Sequence, residues 1–241
     1  GVPLVLAIAQ KVKAQRPHVQ FGLPVAPTLD LETLAKFANP DKNPVSQYFG
    51  GVGAQLQWIE GSPYLVTETG VQIELWTKFP AHSLLRQCDL CLTTIGANTA
   101  ELGSLAVPMI VLLPTQQLDA MRAWDGIPGL LVNLPGVGSL LAKLINGWFI
   151  RKSRLLAWPN IWAGAAIVPE RIGNLNPNQI ADEVIDFLDY PEKLQQMRDR
   201  LRQVRGQAGA ATRLAAIVKE EADRTLKASN PNSTDSLTSD L

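Results

Sequence analysis

The stretch from Asp89 to Leu102 constrains the fold most, because an apolar run gives way to a glycine and then directly to a helical pattern. Small polar residues surround Gly96, and the helical spacing resumes at once. In parallel α/β sheets this order lets a helix N-terminus offer backbone N–H groups to an anionic ligand. Glu101 follows on the first turns of the helix. The stretch therefore suits a nucleotide sugar, with N–H groups for the diphosphate and a carboxylate for ribose hydroxyls.

The rest of the chain alternates predicted helices and strands. Helical spacing covers residues 4–15, 31–37, 81–87, 98–105, 176–188 and a longer stretch from Pro191, and the second of these has Thr28 or Asp30 as its cap. Short strands are predicted at 19–25, 55–59, 64–67, 71–76, 89–93 and 108–113. Glycine-containing turns between 55 and 76 allow a hairpin. The alternation predicts an α/β fold, a Rossmann-like parallel sheet with helices on both faces and ligands at the carboxyl ends of its strands.

Charge and cysteine content limit the partners. The chain has 22 basic and 22 acidic residues among 241, so no net charge argues for nucleic acid or for bulk attraction to an anionic membrane. Cys88 and Cys91 have the C-x-x-C spacing of a redox or zinc motif, but a second pair is missing. His18 and His82 show no metal-ligand spacing. We favour buried structural cysteines in a reducing cytoplasm over the metal or redox alternative.

Residues 127–150 form a strongly apolar segment that is interrupted by two prolines, four glycines and one lysine. A membrane-spanning helix needs about 20 mostly apolar residues without such breaks, so we reject a transmembrane helix. Three interpretations remain: a buried segment, a membrane-surface contact, or a contact with another domain or subunit. Trp148 and Phe149 beside the basic residues up to Arg154 support contact with a membrane surface through 127–154, and these basic residues fit the solvated end of a helix equally well.

A second motif runs from Leu155 to Glu170. It reads as a short apolar strand, a turn at Pro159-Asn160, a glycine at Gly164 that could let the backbone approach a ligand, and a Pro-Glu stop. The Asn160 amide offers both a donor and an acceptor, as reading a uracil edge or a sugar hydroxyl requires. The alternative is that Asn160 caps the next helix through an Asx-type turn.

The ends of the chain set the predicted domain. Residue 1 is not methionine and a helical pattern begins almost at once, so we expect a fragment that starts inside a larger protein. Residues 228–241 have too little apolar content to fold, and we predict a disordered tail there. Residues 1–227 are then one nucleotide-sugar-binding domain.

The two motifs in this order resemble the carboxyl-terminal half of lipid-A-disaccharide synthase, over residues 1 to about 225. The positions that match the family motifs are Gly96, Thr99, Glu101, Pro159, Asn160, Ala163 and Gly164. Ile95, Ala97 and Ala165 stand where the family has serine, threonine and arginine. The resemblance implies one half of a B-type glycosyltransferase fold, in which two Rossmann-like halves face a cleft, and this half lacks its first strand.

The resemblance also implies an activity. A hexosyltransferase of lipid A biosynthesis would move a sugar from a UDP-sugar to a lipid-linked acceptor, in the cytoplasm and peripherally on the inner membrane face. The catalytic base is expected in the missing amino-terminal half, so no catalytic residue is assigned here. The implied contacts are Gly96, Asn98 and Thr99 for the phosphates, Glu101 for the ribose, Asn160 with Gly164 for the nucleotide side, and Gln116 with Gln117 for the donor sugar. No metal or cofactor is expected, since helix N-termini can neutralise the diphosphate and no Asp-x-Asp motif occurs.

Two alternatives remain open. Another enzyme of the same fold that uses UDP-N-acetylglucosamine would share the glycine turn and the glutamate. A non-catalytic nucleotide-sugar-binding module is favoured by the departures at Ile95, Ala97 and Ala165.

Overall fold

A computed structural model describes residues 1–115 and 155–206, together with a helix over 210–229. The described residues do not include Gln116, Gln117, the apolar segment 127–150 with the basic residues that follow it up to 154, or most of the predicted tail. The chain divides into two compact units, Gly1–Arg205 and Gly206–Leu241. The candidate site lies in the first unit.

A four-stranded mixed sheet forms the first half of this unit. Its elements, in chain order, are helix α1 (Val2–Gln15), strand β1 (Phe21–Pro24), helix α2 (Leu31–Ala38), a 3₁₀ helix (Pro44–Phe49), and strands β2 (Ala54–Ile59), β3 (Ser62–Thr67) and β4 (Gln72–Trp76). The strand order is β1-β4-β3-β2, in which β1 pairs with β4 in parallel and the other pairs are antiparallel. Glu60 and Gly61 both have positive φ, which is typical of the tight turn of a two-residue hairpin.

A three-stranded parallel sheet forms the second half. Its elements are helix α3 (His82–Leu85), β5 (Cys91–Thr94), α4 (Ala97–Leu105), β6 (Met109–Pro114), α5 (Trp158–Ala163), β7 (Glu170–Gly173), α6 (Pro177–Asp189) and α7 (Pro191–Val204). The strand order is β5-β6-β7, and both pairs are parallel. The α/β prediction is confirmed. The expected parallel pairing holds within this sheet, whereas β2, β3 and β4 pair antiparallel because their connections are too short for a crossover helix.

Strand β6 is buried on both faces of its sheet. Ile110 and Leu112 belong to a core cluster with α1 and α6, whereas Met109 and Val111 belong to a second cluster with α4 and α7. Alternate residues of a strand point to opposite faces, so helices cover this sheet on both sides, as predicted.

Helix α1 is apolar around most of its circumference because it faces two cores. Leu4 and Ile8 pack in the cluster that contains β6, whereas Leu6 and Ala9 pack in a third cluster with Leu65 of the mixed sheet. A helix that is apolar all round is a buried one. This burial accounts for the hydrophobic start of the sequence.

The second unit contains helix α8 (Ala210–Ser229), so residues 228 and 229 are helical, contrary to the predicted tail boundary. Arg224 pairs with Glu220 and Glu221 along one face. Leu214, Ile217 and Val218 are exposed. Within the described ranges, no helix is both long and apolar enough to cross a membrane.

Candidate functional site

The turn between β5 and α4 is built on Gly96. This glycine is the N-cap of α4 and has φ of 139° and ψ of −161°. A Cβ atom at this position would meet nothing within 4 Å, so backbone conformation rather than crowding requires glycine. Ile95 packs against the core cluster of α4 and α7. The position at which the resembled family has serine is therefore apolar and packed against the core in this chain.

The first turn of α4 leaves backbone donors available. The N–H of Thr99 donates to the Gly96 carbonyl at 3.1 Å. In the described part of the chain, the N–H groups of Ala97 and Asn98 have no acceptor, and the Asn98 side chain is exposed. Unpaired N–H groups at a helix N-terminus are suited to an anion. The phosphate contact through Gly96 and Asn98 stays a prediction.

The side chain of Thr99 has an internal role. Its side chain is fully buried. The hydroxyl donates to the Gly96 carbonyl at 2.9 Å and accepts from the Trp158 N–H at 3.1 Å. The only hydroxyl hydrogen is therefore used within the chain. Thr99 links the start of α4 to the start of α5, and the predicted phosphate contact of its hydroxyl stays a prediction.

The two sequence motifs pack directly on each other. A Cβ atom on Gly103 would lie 2.7 Å from Cγ of Pro159 and 3.1 Å from Cζ3 of Trp162, so the close approach of α4 and α5 requires glycine. The turn predicted at Pro159-Asn160 is wrong, because both residues lie in the first turn of α5. Proline is tolerated there since its missing N–H would have no partner in the helix.

Asn160 is completely enclosed and fully hydrogen-bonded. Its Nδ2 donates to the Val168 carbonyl at 2.9 Å and to Oε1 of Glu170 at 2.7 Å. Its Oδ1 accepts from the N–H groups of Ile167 at 2.8 Å and Val168 at 2.9 Å. An amide side chain has two donor and two acceptor positions, and all four are occupied. A contact of this side chain with uracil or sugar would require one of these bonds to be exchanged, and it stays a prediction. The Asx-turn alternative is wrong, because Asn160 lies inside α5.

Glu170 completes this arrangement, and the sequence reasoning missed its role by treating it as part of a stop. Its carboxylate accepts from the N–H groups of Leu156 at 3.0 Å and Ala157 at 2.8 Å, as well as from Asn160. These bonds tie the chain entering α5 to the start of β7. We call these contacts the Asn160–Glu170 clasp. A carboxylate two residues after the apolar run that ends at Val168 was the sequence signal that could have revealed it.

Gly164 ends α5 and is exposed. Its φ of 62° places it in the left-handed region at the C-cap, where glycine is favoured. Helix termination therefore accounts for this glycine, and its predicted contact with the nucleotide side stays a prediction.

Glu101 faces outward from α4 and has a partner that the sequence did not reveal. His82 Nε2 lies 3.0 Å from Glu101 Oε1, and the two side chains are 48% and 39% exposed. Ala81 and Leu85 flank this histidine along the chain and pack in the same core cluster as Leu102 of α4. The predicted ribose contact of Glu101 stays a prediction, and the structure adds His82 to its surroundings.

The two cysteines are free and half-buried, and both pack against the same core cluster. A hydrogen bond from the Cys91 thiol lowers the pKa of Cys88 to about 7, although burial and Asp89 oppose this shift. The same hydrogen bond and deeper burial raise the pKa of Cys91. The described residues contain no group of three or more His, Cys, Asp or Glu side chains that could hold a metal ion.

The fold and the glycine turn define a class, an α/β protein with an anion-compatible helix N-terminus at the carboxyl end of a parallel strand. The particular relatives are lipid-A-disaccharide synthases, as the sequence motifs indicated. The chain is 26% identical over 221 residues to that of Anaeromyxobacter sp. (strain K), covering 90% of this chain and 44% of the relative. The synthase of Trichlorobacter lovleyi gives the same identity and coverage. That of Myxococcus xanthus is 26% identical over 227 residues, covering 91% of this chain and 44% of the relative.

The predicted resemblance is thus confirmed, and this chain spans less than half the length of these relatives. No protein-family model matches the chain. No solved structure matches it either.

Proposed function

We propose that this chain is the UDP-sugar-binding half of a glycosyltransferase related to lipid-A-disaccharide synthase. The observation that carries the proposal is the pairing of free N–H groups at the start of α4 with an outward-facing Glu101, in a chain similar to these enzymes over nine tenths of its length. The remainder of the cleft, with the catalytic base, would belong to an amino-terminal half.

The proposed chemistry is an inverting sugar transfer to a lipid-linked acceptor. A carboxylate from the amino-terminal half takes the proton of the acceptor hydroxyl, whose oxygen attacks the anomeric carbon. The bond from that carbon to the diphosphate breaks, and UDP leaves with the electron pair. The N–H groups of Ala97 and Asn98 and the dipole of α4 stabilise the charge that develops on the diphosphate. No metal or cofactor is required by this scheme.

The other predicted contacts keep their places in the proposal. Glu101 accepts hydrogen bonds from the ribose hydroxyls, and Gly164 lines the nucleotide side. Gln116 and Gln117 follow the carboxyl end of β6 and are proposed to reach the donor sugar. Thr99 supports the site by bonding the start of α5 to α4, and the Asn160–Glu170 clasp ties α5 to the start of β7.

We also propose that the protein acts in the cytoplasm and touches the inner membrane surface through residues 127–154. Trp158 and Trp162 follow this segment on α5, with ring centroids 6.4 Å apart and both rings partly exposed. Indole rings favour the interface between lipid and water. Liposome flotation of the chain with and without residues 127–150 tests this contact, and equal flotation of the two forms would contradict it.

The nucleotide assignment is tested by calorimetric titration of the 241-residue chain with UDP, UDP-N-acetylglucosamine and ADP. We expect both uridine compounds to bind more tightly than ADP. Glu101→Gln should weaken UDP binding about three- to tenfold, as for loss of a hydrogen bond to a charged group. Glu192→Gln is the matched control, since Glu192 is an exposed carboxylate in the first turn of α7. Equal affinities for UDP and ADP would contradict the assignment of uridine as the bound nucleoside.

A non-catalytic nucleotide-sugar-binding module is the second candidate. It is favoured by Ala97 and Ala165, which are exposed and carry no polar group where the family has threonine and arginine. A turnover assay of the longer natural protein with UDP-sugar distinguishes the two candidates. UDP release that requires a lipid-linked acceptor supports the transferase, whereas tight binding without release supports the module.

A further inference from the structure

We propose that His82 is a positioning residue that presents the Glu101 carboxylate to the ribose of the bound nucleotide. The proposal rests on the proposed function of Glu101 and extends it to a residue that no motif contains. His82 comes from α3, whereas Glu101 comes from α4. Its Nε2 lies 3.0 Å from Oε1 of Glu101.

The backbone of His82 is held by the core beneath it. The Leu85 N–H donates to the Ala81 carbonyl at 3.0 Å, and the Arg86 N–H donates to the His82 carbonyl at 3.1 Å. Ala81 and Leu85 are buried in one cluster with Leu102 of α4. The single turn of α3 is thereby fixed against the helix that carries Glu101. The backbone from which the His82 imidazole extends is therefore held in place.

The contact of His82 with Oε1 leaves the second oxygen of the Glu101 carboxylate available. An ionised carboxylate carries no proton, so this contact is attractive when Nε2 of the imidazole carries one. Within the described residues, Oε2 of Glu101 has no hydrogen-bond partner. His82 therefore occupies one oxygen and directs the other outward. A free glutamate side chain samples several rotamers, and holding it in one lowers the entropy lost when a hydroxyl binds.

The pair adds little to folding stability, because both side chains are close to half exposed. Exposed ion pairs contribute little to the folded state. Substitutions at His82 should therefore leave the protein folded, so that binding can be measured directly.

The test compares UDP with 2′,3′-dideoxyuridine 5′-diphosphate, which lacks both ribose hydroxyls. In calorimetric titrations of the 241-residue chain, we expect UDP to bind more tightly than the dideoxy compound. His82→Leu should reduce that preference about threefold or more, because the unheld Glu101 carboxylate makes a weaker hydrogen bond to the ribose, and leave affinity for the dideoxy compound unchanged. His82→Gln should restore the preference because its amide N–H can donate to Glu101. His18→Gln is the control, since His18 is the exposed second histidine.

A spectroscopic readout is available because the chain has two histidines. Nitrogen-15 spectra of the imidazoles should show UDP shifting the His82 resonances and leaving those of His18 in place. A purely structural role for His82 would not move its resonances upon ligand addition.

The outcomes separate the two proposals. If Glu101→Gln removes the preference for UDP and His82→Leu keeps it, the positioning role is overturned while the ribose role of Glu101 stands. If the wild-type chain shows no preference, or Glu101→Gln retains it, the ribose role fails and the positioning role fails with it. Loss of preference in both variants, with rescue by His82→Gln, supports both.

Discussion

Two glutamates show how differently one residue type is used in this chain. Glu101 stands partly exposed at the surface of α4 with one histidine partner, whereas Glu170 accepts two backbone N–H groups and the amide of Asn160. An exposed carboxylate with a free oxygen can accept from a ligand. A carboxylate whose neighbours are backbone N–H groups is committed to the fold.

Replacing Asn160 by alanine should cost about 3 kcal/mol of unfolding free energy, because the change leaves buried N–H and carbonyl groups without partners. Urea denaturation measures this cost. Asn178→Ala is the matched control, since Asn178 is exposed on α6. If Asn160→Ala unfolds at the same urea concentration as the wild type but loses UDP affinity, Asn160 contacts the ligand and its internal role is refuted.

Cys88 should react as an unusually acidic thiol. Its pKa is lowered to about 7 by the hydrogen bond from Cys91, and the thiolate is the reactive form. The rate of alkylation at Cys88 should therefore rise through about pH 7 and level off above it. In Cys91→Ser, whose hydroxyl is a different donor, the midpoint should change. If the alkylation rate of the wild-type chain instead has its midpoint at about pH 8.5, the value of an ordinary cysteine, the lowered pKa of Cys88 is contradicted.

Elements were more predictable than the contacts between them. Helix and strand spacing located α1, α2, α4 and β2 to β6 within a few residues, because periodicity reports local burial. The turn at Pro159-Asn160 was misread since proline suits both a turn and the first turn of a helix. The Asn160–Glu170 clasp joins residues ten positions apart in a fold that local spacing does not specify.

In the candidate site too, local features could be predicted from the sequence, whereas contacts between elements could not. The glycine turn was visible because a glycine between a strand and a helix has few structural explanations. The internal roles of Thr99 and Asn160 and the pairing of His82 with Glu101 depend on tertiary packing, which residue types alone do not show.

The contact between α4 and α5 should be intolerant of any side chain at Gly103. A methyl group at this position would press against the Pro159 ring, so Gly103→Ala should destabilise the protein by about 1–3 kcal/mol despite the better helix propensity of alanine. Thermal or urea unfolding measures the effect. Ser104→Ala, one residue further along α4 and exposed, is the control. A stabilised Gly103→Ala variant would show that the two helices pack less closely than described.

At the scale of the whole molecule, the first unit is organised around α1 and β6. Helix α1 contributes to the cores of both sheets, and β6 lies between two helical layers. The predicted Rossmann-like sheet was correct for the second half of this unit. The first half is a mixed sheet because its last three strands are joined by tight turns.

The internal hydrogen bonds of the two motifs bear on how relatives of this chain should be classified. They run from Gly96 through Thr99 to Trp158, and from Asn160 to Glu170. The side chains of Thr99 and Asn160 bond to other parts of this chain rather than facing solvent, so these two motif positions contribute to its architecture. We therefore expect a match at these motif positions to indicate a shared scaffold rather than a shared ligand.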